Sequence, residues 1–493
     1  MKVSALTTDF YELTMMQGFF KSNYNPQVVF DMFFRTNPFN GGYALFAGLD
    51  SILEKLENFE FDESDIEYLK SLNKFDNNFL KYLSTYKFTG DIYAFDEGQV
   101  VFAGEPLMRI HTTLIDAQLI EGLLLNTVNF QTLIATKASR MVIASKGGEI
   151  MEFGLRRAQG EDGALSAARA SFIGGTSVTS NTIAGKKFGI PVSGTMAHSW
   201  IMSFDSELES FRIFAKYYPD NAILLIDTYD TLGSGIDNAI IVGLEQKKIG
   251  KKIGVRIDSG DMSYLPRQIR ARLDSSGLTD AIICVSNDMT EEIISALISD
   301  EAPINSWGIG TNLVTGGFQS SLNGVYKLCA KKGTDGKYIP TMKISNSFGK
   351  TTNPGIKQVY RFIDDENGPI ADLITLNDEK IKPNKEYTFY HPFSDSDFFK
   401  LKENRYTKCI PLLTKKMKEG KRCGEIKTLT ELQAYAKANL NNFHKSYKRQ
   451  INPHIYKVSL SKKLRNQKKD LITQERDQEI KEDNNANDIH KKQ

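Results

Sequence analysis

Between residues 148 and 330, short runs of β-branched residues recur at intervals of roughly 20 to 30 residues, and helix-like stretches separate them. The six runs span residues 149–154, 190–194, 222–227, 253–258, 281–288 and 304–310. Alternating strands and helices are typical of parallel strands joined by right-handed crossovers. The spacing therefore predicts an α/β barrel.

Several of these runs end in an acid or a glycine, as in LLIDTYD, VRIDSGD, CVSND and WGIGTN. Barrel enzymes keep their chemistry at the carboxyl ends of the strands. Asp and Gly are also good turn formers after any strand, so one such loop alone has two interpretations. Four consecutive loops of this kind favour a functional site at the carboxyl ends of the strands.

The charge balance narrows the classes of partner. Lys and Arg number 62 against 60 Asp and Glu, so the chain lacks the long-range positive field of a nucleic-acid binder. The mean hydropathy is −0.34, and no apolar run is long enough to cross a bilayer. Residues 117–137 are apolar on most sides, but Gln118, Glu121 and Asn126 interrupt the run, which predicts a buried helix. We expect neither a nucleic-acid partner nor a membrane partner.

The four cysteines lie far apart, at Cys284, Cys329, Cys409 and Cys423. The absence of a CxxC pair argues against a zinc site or a disulfide framework. The opening residues, MKVSALTTDF, contain no apolar stretch of the signal-peptide kind. These features predict a cytoplasmic protein.

Changes in residue composition and pattern along the chain predict four regions. Residues 1–140 mix strand-like runs with charged helical stretches, which indicates an N-terminal α+β domain. Residues 141–335 hold the barrel, and residues 336–444 form an accessory region returning to the N-terminal domain. From 445 to 493 Lys, Asn, Gln and Asp dominate, so we expect a polar tail that is poorly ordered or a solvated helix.

Two adjacent arginines, Arg156 and Arg157, follow the first predicted barrel strand. The planar guanidinium of arginine can donate two hydrogen bonds to one carboxylate or phosphate, and it stays positively charged at physiological pH. The pair would suit an anionic ligand. In the alternative interpretation both are surface residues that pair with Glu161 or Asp162.

His198 follows the run 190–194 among small neighbours, and it is the one histidine inside the barrel-like region. An imidazole at a strand end can carry protons or act as a nucleophile toward phosphorus. A single histidine can equally be a structural residue with satisfied hydrogen bonds. Both interpretations stay open on the residue alone.

The segment GIGTN at residues 308–312 follows a late strand and contains Gly310 and Thr311. Glycine lets backbone N–H groups approach a phosphate closely, and a threonine hydroxyl adds a donor. Lys327 could complete the charge neutralisation. A tight turn is the alternative, and the segment matches neither a Rossmann fingerprint nor a P-loop.

Four aspartates stand at predicted strand ends, at Asp227, Asp258, Asp261 and Asp288. Their carboxylates could accept hydrogen bonds from ribose hydroxyls, bind Mg²⁺ through water, or orient a histidine. Asp261 could instead cap the following helix, MSYLPRQIRARL.

Nine motifs of the chain resemble those of the nicotinate phosphoribosyltransferase family. They are TTDFYELTM (7–15), FRTNPFNGGYALFAGL (34–49), EFGLRRAQGEDGALSAARASFIGG (152–175), SNTIAG (180–185), GTMAHSW (194–200), VRIDSGD (255–261), VSND (285–288), GIGTNLVT (308–315) and KTTNPGIKQVYR (350–361). They occur in order to about residue 365, and beyond it the resemblance thins.

The resemblance implies a barrel-type, type II phosphoribosyltransferase with an N-terminal α+β domain and a C-terminal accessory region. Members of the family condense nicotinate with phosphoribosyl pyrophosphate, giving nicotinate mononucleotide and pyrophosphate in the salvage of NAD. They use Mg²⁺ and couple the reaction to ATP hydrolysis, and they are usually homodimers. The resemblance identifies no metal ligand.

For the aromatic substrate, the resemblance implies that Phe153 lies against one face of the pyridine ring and Tyr11 of the partner subunit against the other. Stacking suits a flat aromatic acid. Arg256 is then expected to reach the carboxylate of the ring, and Arg156 the pyrophosphate or the carboxylate.

For the sugar phosphate, the resemblance implies that Asp258 and Asp288 hold the ribose hydroxyls. Gly310, Thr311 and Lys327 are expected to bind the 5′-phosphate.

The resemblance also gives His198 a role: it is expected to be phosphorylated by ATP, with Asp227 orienting its ring. Nicotinamide-using relatives are similar, but they generally carry an aspartate where SNTIAG has Asn181. An aspartate would accept from an amide NH₂ and repel a carboxylate, so Asn181 favours nicotinate. Nicotinamide phosphoribosyltransferase is the nearest alternative.

An alternative of another class is a barrel lyase or aldolase acting on sugar phosphates. It would need a Schiff-base lysine at a strand end or a clear metal cluster. None of the six runs ends in lysine.

Overall fold

The computed structural model describes residues 3–345, 348–394 and 396–490. They form two compact units. The first contains Met1–Asn129, Leu322–Ile426 and Ala438–Gln493, and the second contains Phe130–Ser321 and Lys427–Lys437. The sequence-based boundaries after residues 140 and 335 lie C-terminal to the divisions after residues 129 and 321.

The helices are α1 (Phe10–Lys21), α2 (Leu49–Glu57), α3 (Glu63–Ser71), α4 (Asn77–Leu83), α5 (Leu114–Leu119), α6 (Glu121–Ala144), α7 (Glu161–Ile173), α8 (Thr182–Phe188), α9 (His198–Met202), α10 (Glu207–Tyr217), α11 (Ile236–Lys248), α12 (Tyr264–Ser275), α13 (Glu291–Ser299), α14 (Thr311–Val314), α15 (Leu429–Asn442) and α16 (Lys462–His490). The buried helix expected over 117–137 is therefore α6, preceded by the short α5. Among the described helices, none combines the length and the apolar character needed to span a bilayer.

The strands are β1 (Val3–Ser4), β2 (Gln27–Phe34), β3 (Ala44–Leu45), β4 (Phe59–Glu60), β5 (Asp91–Ala94), β6 (Val100–Val101), β7 (Met108–Thr113), β8 (Glu149–Glu152), β9 (Val178–Thr179), β10 (Ala222–Leu225), β11 (Ile253–Ile257), β12 (Ile282–Asn287), β13 (Ser306–Ile309), β14 (Gly324–Lys332), β15 (Tyr338–Pro340), β16 (Lys357–Asp364), β17 (Gly368–Leu376), β18 (Tyr387–Tyr390), β19 (Phe398–Leu401), β20 (Lys408–Pro411), β21 (Thr414–Lys418), β22 (Lys421–Arg422) and β23 (Lys457–Leu460).

The second unit is built on a six-stranded sheet with the order β10-β11-β12-β13-β8-β9, and all its pairs are parallel. Helices follow most of its strands, as the βα alternation of the sequence predicts. The expected α/β class is confirmed. In the part of the chain that the structure describes, the edge strands β9 and β10 do not pair, so the sheet is a half-barrel and not a closed ring.

Five of the six predicted runs are strands of this sheet, and the run 190–194 is not. Val192 forms only an isolated bridge to Thr179 and is 54% exposed. Pro191 lacks the N–H donor that a ladder needs, and Gly194 weakens strand structure. The two residues of β9 take the edge position next to β8 instead.

The two faces of this sheet differ, because successive residues of a strand point to opposite sides. Ile150, Trp307 and Val285 are aligned across three strands and belong to the large apolar core that includes helix residues. Ser286 and Gly308, each one residue further along its strand, pair with one another on the opposite face. The face away from this core therefore carries small and polar residues beside a smaller apolar cluster of Met151, Ile223 and Cys284.

The first unit contains a seven-stranded sheet with the order β15-β14-β2-β7-β5-β21-β22 and a six-stranded sheet with the order β19-β18-β23-β17-β16-β20. Lys357 on β16 is buried there, and its Nζ lies 2.8 Å from Asp31 Oδ2 on β2. The same ammonium donates to the carbonyl oxygens of Asn353 and Gly355, at 2.8 and 2.6 Å. The motif KTTNPGIKQVYR thus has a structural role in this unit.

The expectation of a poorly ordered tail from residue 445 needs correction for part of that segment. Strand β23 pairs parallel with β17, and Leu464 in the first turn of α16 is fully buried. Val458 and Leu460 supply an apolar alternation within the polar surroundings, which is enough for one strand. Further along α16, polar residues dominate the sequence, and the side chains beyond residue 477 lie outside the described ones.

Candidate functional site

The ring of Phe153 lies over Gly308, at the carboxyl end of the parallel sheet. A Cβ atom on Gly308 would come within 2.8 Å of Cδ2 of this ring, so only glycine leaves room for it. The N–H of Phe153 donates to the carbonyl oxygen of Ile309 at 2.8 Å. The ring is half-buried and offers a face on which a flat ligand could stack.

Arg256 on β11 is held at the same end of the sheet, with its side chain 14% exposed. Its Nη1 donates to the hydroxyl of Thr195 and, at 3.2 Å, to the carbonyl oxygen of Met196. Its Nη2 lies 3.9 Å from Asp258 Oδ1, and its buried Nε has no partner among the described residues. The guanidinium is thus fixed in place and keeps an unused donor for an anion.

Two of the predicted carboxylates brace the ends of neighbouring strands. Asp258 Oδ1 accepts the hydroxyl of Ser286 at 2.5 Å. Asp227 Oδ2 accepts the N–H of Asp258 at 2.9 Å and the hydroxyl of Ser259 at 2.7 Å. The other carboxylate oxygen of Asp227 is buried and has no hydrogen-bond partner in the part of the chain described. Each acid therefore has one oxygen fixed by a residue of the neighbouring strand or of the loop that follows it.

His198 shares a hydrogen bond with Thr228, whose Oγ1 lies 3.0 Å from its Nδ1. The resemblance implies that Asp227 orients this ring, whereas the hydrogen bonds that Asp227 Oδ2 accepts come from the loop after β11. His198 is also the first residue of α9 and not the end of a strand, since the run before it forms none. Within the described residues its Nε2 makes no hydrogen bond.

The expected phosphate loop begins where β13 ends. A Cβ on Gly310 would lie 3.2 Å from the carbonyl oxygen of Phe153, so this loop passes close to the segment that carries the ring. Thr311 opens the one-turn helix α14, and the Nδ2 of Asn312 donates to the carbonyl oxygen of Asp288 at 3.1 Å. The side chain of Asp288 is exposed at the end of β12. Gly310, Thr311 and Asp288 thus belong to one rim.

Arg156 and Arg157 lie in a short 3-10 turn directly after Phe153 and are exposed. In the described part of the chain neither forms an ion pair with Glu161 or Asp162, so the surface pairing considered from the sequence is not observed. Both guanidinium groups remain available to an anionic ligand.

Asn181 is 1% exposed and caps helix α8, because its Oδ1 accepts the N–H of Ala184 at 3.3 Å. This bond assigns the remaining atom, Nδ2, as the amide donor. Nδ2 is buried and has no partner among the described residues. The residue that the sequence singles out for substrate choice therefore has one unsatisfied donor.

Asp261 acts as a cap, which is the alternative considered from the sequence. Its Oδ1 accepts the N–H groups of Ser263 and Tyr264, each at 2.9 Å, at the start of α12. These two hydrogen bonds lower the pKa of Asp261.

Tyr11 and Lys327 belong to the first unit and are described within it. Tyr11 is 51% exposed in the first turn of α1, and the carboxylate of Glu12 raises its pKa. Lys327 on β14 lies with its Nζ 3.9 Å from Glu121 Oε1. Their roles toward a ring and a phosphate remain predictions.

A dedicated metal site is not evident. In residues 3–345, 348–394 and 396–490, no cluster of three or more His, Cys, Asp or Glu side chains is arranged to hold a metal ion. Mg²⁺ is commonly bound by one or two carboxylates together with phosphate groups and water. Asp227 and Asp258 offer carboxylate oxygens of the right kind.

Sequence reasoning missed the hydroxyl groups that connect these residues. They belong to Thr195, Thr228, Ser259 and Ser286. Each lies next to or within three residues of a predicted site residue, and that proximity was the one signal available. Ser and Thr are too common in turns for the residue type alone to indicate such a role.

Three family models match this chain. The one described as the nicotinate phosphoribosyltransferase (NAPRTase) family matches residues 149–380. The NAPRTase N-terminal domain matches residues 6–129, and the NAPRTase C-terminal domain matches residues 356–468.

Individual proteins are similar over nearly the whole chain. Nicotinate phosphoribosyltransferase of Bacillus subtilis is 40% identical over 459 residues, covering 93% of each chain. The protein of the same name from Caenorhabditis elegans is 36% identical over 525 residues, covering 94% of this chain and 92% of that one. The crystal structure of human nicotinic acid phosphoribosyltransferase matches with a TM-score of 0.83 at 28% identity, covering 94% of this chain and 99% of that one.

Proposed function

The chain belongs to the nicotinate phosphoribosyltransferase family, and on that premise we propose that it condenses nicotinate with phosphoribosyl pyrophosphate. The products are nicotinate mononucleotide and pyrophosphate, which places the protein in the salvage of NAD. The observation that carries the proposal is the grouping of an aromatic ring, an arginine and an aspartate at one end of the parallel sheet: Phe153 over Gly308, and Arg256 beside Asp258.

Each of these groups matches one part of the substrates. The ring of Phe153 stacks on the pyridine, and the unused donor of Arg256 meets its carboxylate. Asp258 and Asp288 accept from the ribose hydroxyls. Gly310 and Thr311 offer a backbone N–H and a hydroxyl to the 5′-phosphate.

The chemistry fits a site without a general base. The pyridine nitrogen carries no proton, so it can attack C1 of the ribose directly while pyrophosphate leaves. Catalysis then depends on alignment of the two reactants and on stabilisation of charge in an oxocarbenium-like transition state. Arg156 is available for the negative charge that builds up on the leaving pyrophosphate.

Asn181 supports nicotinate over nicotinamide as the substrate. Its oxygen is used by the helix cap and its NH₂ group is the free end, so the site presents a donor. A carboxylate accepts from that donor, whereas the NH₂ group of nicotinamide would meet another donor.

The proposal extends to ATP, which we expect to phosphorylate His198. Thr228 occupies Nδ1, so Nε2 is the nitrogen that attacks the γ-phosphorus, with ADP as the leaving group. The phosphoryl group adds nearly two negative charges beside the site, and water later removes it as phosphate. Asp227 directly precedes Thr228, the residue bonded to His198, so its carboxylate belongs to the segment next to the phosphoryl group.

Mg²⁺ is proposed to arrive with the phosphate groups of the substrates, since no three-ligand protein site is evident in the described residues. When bound it neutralises phosphate charge. Asp227 and Asp258 are the carboxylates that would contact it directly or through water.

We further propose a homodimer, in which Tyr11 of the partner subunit covers the second face of the pyridine ring. This residue is exposed in the first unit, as such a role requires. A cytoplasmic location is part of the same proposal.

The test is an assay with the whole chain, Mg²⁺ and phosphoribosyl pyrophosphate, with nicotinate or nicotinamide, and with or without γ-labelled ATP. We expect nicotinate mononucleotide, stimulation by ATP, and acid-labile label on the protein that is absent in His198→Ala. Wild-type-like, substrate-stimulated ATP hydrolysis by His198→Ala would reject the role of His198. Product from nicotinamide in preference to nicotinate would favour the alternative enzyme.

A further inference from the structure

We propose that Glu152 is a positioning residue, which fixes Phe153 and Asn181 relative to one another and so sets the affinity for the pyridine substrate. The inference rests on the proposed function. Glu152 precedes Phe153 directly, at the last position of β8, and is 1% exposed.

The carboxylate of Glu152 accepts two hydrogen bonds, one from the residue after Phe153 and one from the neighbouring strand β9. Its Oε1 accepts the N–H of Gly154, and its Oε2 accepts the hydroxyl of Thr179 on β9, both at 2.5 Å. The first bond closes a turn around the residue that carries the ring. The second ties this turn to the neighbouring strand.

The hydroxyl of Thr179 connects Glu152 to Asn181. Thr179 Oγ1 accepts the N–H of Asn181 at 3.0 Å, and Asn181 then caps α8 through Ala184. Three consecutive side-chain hydrogen bonds thus run from Gly154 to the start of this helix. All of them are buried, so each is costly to leave unmade.

The pairing of β8 with β9 places the two segments side by side, but it does not fix the orientation of the side chains of Phe153 and Asn181. Glu152 pairs with Thr179 in register, and the carbonyl oxygen of Glu152 accepts the N–H of Ser180 at 2.9 Å. These backbone contacts would form with any side chain at residue 152. The turn at Gly154 and the orientation of Asn181 depend on the carboxylate.

A carboxylate suits this position because it accepts hydrogen bonds and donates none when ionised. Burial raises the pKa of Glu152, and the bonds from Thr179 and Gly154 lower it, with a net rise. A glutamine can replace only one of the two accepting oxygens. Its NH₂ group would face a hydroxyl that already accepts from Asn181, leaving the hydroxyl hydrogen without a partner.

The two residues proposed for the ribose hydroxyls, Asp258 and Asp288, are held by other contacts. Asp258 bonds to Ser286, and Asp288 to Asn312, through atoms that do not include Glu152 or Thr179. Replacing Glu152 should therefore weaken the binding of nicotinate more than that of phosphoribosyl pyrophosphate. This difference separates a positioning role from a general loss of structure.

The experiment compares Glu152→Gln, Thr179→Val and Thr179→Ser with Glu149→Gln, a control on an exposed residue of the same strand. For each protein, kcat, the two KM values and the thermal midpoint are measured. We expect KM for nicotinate to rise by roughly tenfold or more in Glu152→Gln and Thr179→Val, with a clearly smaller rise in KM for phosphoribosyl pyrophosphate. Thr179→Ser keeps the hydroxyl and should restore the wild-type value.

Unchanged KM values in both disrupting variants would overturn the inference, as would an equal rise in both KM values or a fall in kcat alone. If Glu152→Gln does not fold, the Thr179→Val and Thr179→Ser pair decides the matter by the same criterion. A wild-type protein that makes no product from nicotinate would reject the proposed function itself, which is a distinct result.

Discussion

The imidazole of His198 and the hydroxyl of Thr228 form a hydrogen bond, with Nδ1 and Oγ1 3.0 Å apart. The two residues come from different segments, the start of α9 and the loop after β10. This bond fixes the ring and leaves Nε2 for other contacts. It identifies Nε2 as the nitrogen available for phosphorylation, which the sequence alone could not do.

We therefore predict that Thr228→Val lowers ATP stimulation of product formation by about tenfold, the low end of the effect of removing a residue that orients a metal-bound histidine. The ring would lose its fixed orientation, while the groups around Phe153 stay in place. Thr228→Ser is the matched control, because it keeps the hydroxyl. Full ATP stimulation in Thr228→Val would show that this contact is unimportant.

Arg256→Lys should lower kcat/KM for nicotinate by roughly 10- to 100-fold, although the charge is kept. A lysine cannot bond to Thr195 and Met196 and at the same time present a planar donor to the ligand. Arg212→Lys is the control, since Arg212 forms an exposed ion pair with Glu245. Steady-state rates over a range of nicotinate concentrations provide the measurement, and equal effects in the two variants would argue against the assignment.

Asn181→Asp should keep the helix cap, because Asp and Asn are equally good caps, and should replace the free donor with an acceptor. We expect the ratio of kcat/KM for nicotinate to that for nicotinamide to fall by roughly tenfold or more. Asn78→Asp, at an exposed position of α4, is the control. A ratio that does not change would mean that position 181 takes no part in the choice of substrate.

Lys357→Met should destabilise the first unit by about 3–5 kcal/mol, because it leaves the buried carboxylate of Asp31 without its cation. Lys402→Met removes an exposed ammonium and should change the stability little. Thermal unfolding of the three proteins at one pH tests this. Similar midpoints for Lys357→Met and the wild type would contradict a structural role for the motif at 350–361.

Glu12 gives a pH dependence with a defined sign. Burial raises the pKa of Glu12 to about 7, with the nearby carboxylate of Glu121 adding to the effect and Tyr11 and Lys327 opposing it. The folded state then binds a proton that the unfolded state releases above its ordinary pKa of about 4.3. This contribution to stability is full below that value and is lost as the pH rises through about 7.

We expect the thermal midpoint of Glu12→Gln, measured relative to wild type, to rise between pH 5 and pH 8. The glutamine carries no charge at either pH, so only the wild type loses this contribution. A difference between the two proteins that stays constant over the range would mean that Glu12 keeps an ordinary pKa when folded.

Much of the parallel sheet could be predicted, because buried strands leave runs of apolar residues whose ends are marked by polar ones. Strands β10 to β13 fall within their predicted runs. The run 190–194 forms no strand, because Pro191 lacks an N–H and Val192 is exposed, although Ile190 is buried. Strand β9 has two residues, which is too short for any periodicity to reveal.

Phe153 and Arg256 were predicted through the family resemblance, and the structure places both at the carboxyl end of the parallel sheet, while their roles toward a substrate stay predictions. The connections among these residues were not predicted, since they depend on which loops meet in space. Asp227 illustrates the limit: its sequence position next to a turn is compatible with several partners, and the partner observed is the loop at 258–259.

The most direct test of the account is the identity of the product formed by the purified whole chain from phosphoribosyl pyrophosphate and an equimolar mixture of nicotinate and nicotinamide. We predict that nicotinate mononucleotide and pyrophosphate accumulate in equal amounts and that little nicotinamide mononucleotide forms. Predominant formation of nicotinamide mononucleotide, or pyrophosphate release without either nucleotide, would contradict it.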